Sequence, residues 1–103
     1  MKTIEVTLVR VYLTEEKAHL SRLLKRLNDE YRVRGVTVFR GIAGFGQTGT
    51  LHASSLLDVS LDLPVVIEFF DEADKASEVM EELYAVVGSG HIVSWPVQLT
   101  VEQ

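Results

Sequence analysis

Three observations predict an α+β sandwich. Six segments follow one another as strand, helix, strand, strand, helix, strand. Each helical segment carries one apolar stripe, enough to cover one face of one sheet. The last strand contains Pro96, which belongs at a sheet edge because it cannot donate to a ladder. A ferredoxin-like βαββαβ arrangement meets all three: a four-stranded antiparallel sheet in spatial order 4-1-3-2 with both helices on one face. The 103 residues suit one domain, 1–103, with its own core.

The first strand spans residues 3–13. Ile4, Val6 and Leu8 alternate with Glu5 and Thr7, the period of a half-buried strand. Val9 and Val11 break that alternation, so the later part is expected to be bulged or buried on both faces. Thr14 followed by Glu15 and Glu16 reads as a helix start, where a hydroxyl and negative charge meet free N–H groups. Leu20, Leu23, Leu24, Leu27 and Tyr31 then form the first helical stripe. The second strand runs from Gly35 to Ile42.

Gly44-Phe45-Gly46 follows, and residues 47–61 then hold no period for long. A connection of that length in a compact domain is functional or mobile. Part of it, residues 51–57, is compatible with a short helix. The third strand, 63–70, has Pro64 at its start, where a missing donor costs little. Asp71-Glu72-Ala73-Asp74 opens the second helix, whose stripe is Ala76, Val79, Met80, Leu83, Val86 and Val87. Gly88-Ser89-Gly90 stops it, and residues 91–101 form the last strand. Apolar residues remain for the sheet face away from the helices, among them Val9, Val11, Phe70 and either Val93 or Trp95. A second apolar face predicts an oligomer, because monomers rarely leave large apolar patches open.

Charge divides the chain. Residues 1–40 hold nine of the ten Lys and Arg against five acids, a net of +4; residues 41–103 hold Lys75 against ten acids, a net of −9. A basic helix packed beside an acidic one accounts for this, with exposed pairs worth at most about 1 kcal/mol each. The net charge of −5 argues against nucleic acid, whose phosphates require cations. The absence of cysteine excludes disulfides, thiolate metal sites and a Cys nucleophile. No apolar run reaches the roughly 20 residues of a membrane helix. Glu5 interrupts the first apolar stretch, so no signal peptide is expected and the protein is placed in the cytoplasm.

The candidate ligand-binding residues fall in two glycine-rich segments. Gly44, Phe45, Gly46, Gln47, Thr48 and Gly49 join a strand to the long loop, where backbone N–H groups can approach an anion. The pattern is neither a Walker A motif nor a GxGxxG opening a helix, and a flexible hairpin end reads equally well. Gly88, Ser89, Gly90 and His91 form the second segment, with an ordinary helix stop as the alternative. Arg40 offers a planar fork to phosphate or carboxylate, or a salt bridge on its strand. His19, His52 and His91 lack metal-ligand spacing. Ser54 and Ser55 near His52 lack the elbow and orienting acid of a hydrolase, so no catalytic residue is assigned. Glu68, on an apolar central strand, requires a partner if buried.

Three features together resemble the PII signalling superfamily. One is the element order. Another is Gly44-Phe45-Gly46 with Gln47 and Gly49, similar to the GFGRQKG stretch that opens the PII T-loop. The third is Gly88-Ser89-Gly90-His91-Ile92 followed by Pro96-Val97, similar to the PII B-loop, GDGKIF, and its following strand. Arg40 to Gly46, His52 and the Leu63 to Glu68 strand resemble most an uncharacterised family of PII-like proteins, over nearly the whole chain.

The resemblance implies a homotrimer with ligand clefts between subunits, where T-loop base and B-loop meet. PII clefts take ATP or ADP, and a 2-oxoacid with magnesium can bind at the T-loop base. Carried over, it places Gly44, Phe45, Gly46 and Gln47 at the T-loop base and Gly88, Ser89, Gly90 and His91 in the B-loop. It makes residues 47–61, with Thr48, His52, Ser54 and Ser55, the loop that contacts a transporter, channel or enzyme. Ser89 and His91 replace the B-loop Asp and Lys, no arginines of the PII kind precede Gln103, and the loop has no tyrosine to nucleotidylate. Polyphosphate is therefore disfavoured, leaving an adenine nucleotide such as a monophosphate, a smaller anion or a different ligand. The expectation is a non-enzymatic regulator with no resident metal. The alternatives are a metal-responsive trimer of the CutA type, with His52 or His91 as ligand, and a small enzyme on the same fold.

Overall fold

A computed structural model describes residues 1–15, 19–46, 49, 52–53 and 63–103, with His52 and Ala53 placed by backbone alone. In chain order the elements are β1 (Lys2–Thr14), α1 (Leu20–Asp29), β2 (Gly35–Arg40), β3 (Ala43–Gly44), β4 (His52–Ala53), β5 (Pro64–Asp71), α2 (Ala73–Val87) and β6 (Ile92–Val101). Four strands form one antiparallel sheet in the order β2-β5-β1-β6. With the two-residue strands β3 and β4 set aside, since they pair only with each other, this is the expected 4-1-3-2 order. Pro96 sits on β6, an edge, as its missing donor requires.

The core lies between this sheet and the two helices. Val9 faces Phe69 across the β1–β5 ladder, Val11 faces Ile67 and Leu13 faces Val65. All six are buried and cluster with Leu23 and Leu27 of α1 and Ala76, Val79 and Leu83 of α2. Burying a side chain such as Leu27, Ile67 or Phe69 contributes about 1.5–3 kcal/mol. Leu20, Tyr31, Met80 and Val87 pack at the margin of the cluster, whereas Val86 is 62% exposed and lies off the buried stripe.

β1 corrects the sequence reading. Its register runs without a bulge past both neighbours. The apolar residues change phase between Leu8 and Val9, so the strand serves one face early and the other later. Val9 and Val11 therefore belong to the helix-covered face. Phe70, Val93 and Trp95 all belong to the other, because Phe70 and Trp95 are both opposite Leu8 and Val93 is opposite Arg10.

Thr14 ends β1 and Glu15 after it is helical, as expected, while residues 16–18 lie outside the described residues; His19, at φ 45° and without a side-chain cap, precedes α1. The start of α2 is organised by Asp71, the end of β5, which is only 4% exposed. Its carboxylate accepts the Glu72 N–H at 2.8 Å and the Arg34 N–H at 3.1 Å, with Lys75 Nζ at 3.4 Å. That one side chain joins the α1–β2 connection to α2. Gly88, at φ 78°, ends α2 in the left-handed region that favours glycine. Arg26 of α1 reaches Glu82 of α2 at 3.9 Å, as the charge division led us to expect.

Candidate functional site

The first glycine-rich segment leaves β2 against the start of β5. The Gly41 N–H donates to the Pro64 carbonyl at 2.7 Å. A Cβ on Gly41 would stand 2.9 Å from Pro64 Cγ, and one on Gly44 3.3 Å, so this approach requires small residues. Gly44 then pairs with His52 and Ala43 with Ala53, a short ribbon that turns where the Gly49 N–H donates to Gly46 O at 3.0 Å. Gly49 has φ 75°, and among the described residues nothing lies within 4 Å of a Cβ placed on Gly46. His52 and Ala53 are thus strand rather than part of the short helix considered over 51–57. Gln47, Thr48, Ser54 and Ser55, with most of the 47–61 loop, lie outside the described residues. Phe45, 75% exposed, stands at the mouth of this loop.

Arg40 is drawn to the Glu15 carboxylate through its Nε, so the salt-bridge reading applies in this structure. Among the described residues, its terminal nitrogens are the part left to address a ligand.

The second segment runs from the end of α2 into β6. Gly88 and Gly90, at φ 78° and 84°, turn the chain around exposed Ser89. His91 is then clasped to β1. The Tyr12 N–H donates to the His91 carbonyl at 2.8 Å, and His91 Nδ1 lies 2.9 Å from the Tyr12 carbonyl. A carbonyl only accepts, so Nδ1 carries a proton and Nε2 alone is available to a ligand. In the neutral ring Nε2 is an acceptor, suited to a donor or a cation. It meets an anion only when protonated.

Sheet order fixes where the two segments lie. Arg40 ends β2 and His91 precedes β6, the two edges, at the end of the sheet where β1 finishes and β5 begins. Three strand spacings, about 14 Å, separate them within one chain. One chain therefore presents two half-sites at the same end of its sheet, on opposite edges.

The face without helices carries the remaining chemistry. Arg10 Nε and Glu68 Oε1 are 2.8 Å apart in its middle, giving Glu68 the partner it required. The Arg10 guanidinium lies 5.7 Å from the centroid of Trp95. Glu68 first, and Tyr12 after it, hold the Arg10 proton more firmly than usual. Sequence reasoning did not single out Arg10. The available signal was one charge of each sign at mid-strand within two apolar runs.

Among the described residues no group of three His, Cys, Asp or Glu is placed to hold a metal, and no helix is long and apolar enough to cross a membrane.

Known proteins match this geometry. A UPF0166 protein of Aquifex aeolicus is 33% identical over 88 residues, covering 81% of this chain and 83% of its own. CPII of Thiomonas intermedia K12, a nitrogen regulatory PII-like protein solved with ADP, AMP and bicarbonate, superposes with a TM-score of 0.70 at 19% identity, covering 95% of this chain and 91% of CPII. The divalent ion tolerance protein CutA1 of Ehrlichia chaffeensis gives 0.59 at 14% identity, over 100% and 87% of the two chains. Residues 6–99 match the family DUF190, described as "Uncharacterized ACR, COG1993". The chain belongs to this DUF190 family, and its fold is the ferredoxin-like fold of PII-like proteins.

Proposed function

We propose that the protein is a non-enzymatic regulator that assembles as a homotrimer and binds a small effector between subunits. The observation that carries this reading is the placement of the half-sites. Gly41 to Gly46 stand on one sheet edge and Gly88 to His91 on the other, both at the same end. A closed ring of copies brings the β2 edge of one chain towards the β6 edge of the next, and the two segments then border one cleft. The glycines supply close backbone approach, Arg40 supplies charge, and His91 offers its Nε2. The effector is an adenine nucleotide or a small anion, the classes bound by CPII. Its binding controls the 47–61 loop, which contacts a transporter, channel or enzyme in the cytoplasm. The ligand shifts that equilibrium only by its differential affinity for the two loop states.

A metal-responsive reading has one observation in its favour, the acceptor character of His91 Nε2 in the neutral ring. Calorimetry and thermal melts with ADP, AMP, bicarbonate, zinc and copper separate the two. A ligand at 100 times its Kd stabilises by about 2.7 kcal/mol. The regulator reading expects such a rise with a nucleotide or bicarbonate, abolished in Gly90→Asp relative to that variant's own unliganded melt. Silence towards all three, with a zinc or copper response lost in His91→Ala, would overturn it in favour of the metal.

A further inference from the structure

We propose that the Arg10–Glu68 pair is the contact that sets the register of self-association through the open sheet face, by pairing across copies of this chain. The proposal rests on the self-association reading above. Around the pair, the described residues of this face are apolar or neutral: Leu8, Phe70, Val66, Trp95, Phe39 and Thr37 surround one cation and one anion. Around the pair the face is therefore electrically balanced, although the chain carries −5; Lys2, of the same parity on β1, stands at the far end of the strand. The excess of acid lies elsewhere, as on the exposed Asp74, Glu78, Glu81 and Glu82 of α2. A strongly charged partner gains nothing from a balanced face, whereas a second copy meets its own complement there.

The geometry of the pair says more. It joins through Arg10 Nε and one carboxylate oxygen, with the two side chains 39% and 20% exposed. This is not the two-bonded fork that would use both groups fully. The terminal guanidinium nitrogens and Glu68 Oε2 keep bonding capacity. Covering the face with apolar surface removes water from those atoms, which then need partners from the neighbouring copy. Apolar side chains tolerate several sliding registers. A cation and an anion that must each find the other tolerate few.

Sedimentation velocity and native mass spectrometry on the full chain test this, with circular dichroism to verify folding. The wild type is expected to give one closed oligomer. Arg10→Met and Glu68→Leu each leave an uncompensated charge on the covered face, and each should weaken association roughly a hundredfold or more. The double variant should regain association but distribute over several masses. The charge-swapped chain, Arg10→Glu with Glu68→Arg, should assemble with itself and be excluded from wild-type oligomers, because mixed contacts oppose like charges. Single variants that associate as the wild type, a double variant of one mass, or free mixing of swapped and wild-type chains would each overturn the proposal while leaving self-association intact. A wild type that is monomeric at every concentration would instead overturn self-association itself.

Discussion

Phe69 and Phe70 are neighbours on β5, yet they belong to different environments. Phe69 is fully buried against the helices, within a cluster the chain completes by itself. Phe70 points to the other face, beside Leu8 and Gly35 in the ladder, where Phe39, Tyr12, Val93 and Trp95 stand partly open to water. Two carboxylates on the same strand repeat the contrast. Asp71 is enclosed and accepts two backbone N–H groups. Glu68 has one cation, itself half exposed. One face of the sheet is finished by folding. The other has the composition of a core and the exposure of a surface, the mark of an interaction face.

Substitutions on the two faces break this comparison in different ways. Phe69→Ala should cost about 3–5 kcal/mol, because the buried ring leaves a cavity between sheet and helices. Urea unfolding measures it, and that loss should not depend on protein concentration. Phe70→Ala should instead act mainly through association, with its loss shrinking as the protein is diluted towards the monomer. Equal, concentration-independent losses would erase the distinction.

Asp71→Ala should cost about 1–3 kcal/mol by leaving the Arg34 and Glu72 N–H groups without their acceptor. Asp71→Asn keeps an oxygen acceptor and should lose less, again by urea unfolding. At the end of the sheet, Gly41→Ala drives a Cβ into Pro64 and should cost about 1 kcal/mol or slightly more. Gly46→Ala meets no atom of the described residues within 4 Å and should leave the melting temperature nearly unchanged. Comparable shifts from the two would contradict a tightly packed loop base.

The smallest effect concerns Tyr31, at the margin of the helix-covered face. Burial, partly offset by Arg26, raises its phenol above the ordinary value of about 10. The unfolded chain then loses this proton first. The contribution is complete below about pH 10 and is lost as pH rises through the higher folded value. Tyr31→Phe should flatten the alkaline end of the stability profile; an unchanged slope would show that the phenol titrates alike in both states.

The fold was legible in the sequence because its signals were local. Two helical stripes, a proline at an edge and two glycine stops each act within a few residues. The phase change in β1 was visible at Val9, but its meaning was not. An alternation that switches face looks like a bulge until the partner strands establish a register. The glycine segments could be recognised by composition, whereas their positions on opposite edges follow only from strand order. Arg10 and Glu68 lie 58 residues apart, beyond the reach of any local pattern.

Trp95 offers the most direct measurement of the central claim, that copies of this chain close the open sheet face. It is the only tryptophan, and it lies on that face, 37% exposed in the single chain. Its emission should be followed over a dilution series, with far-ultraviolet circular dichroism held constant as the control for folding. The account predicts blue-shifted emission from a covered indole at high concentration, moving red as the chains separate. Emission of a water-exposed indole at every concentration, with the fold intact, would contradict it.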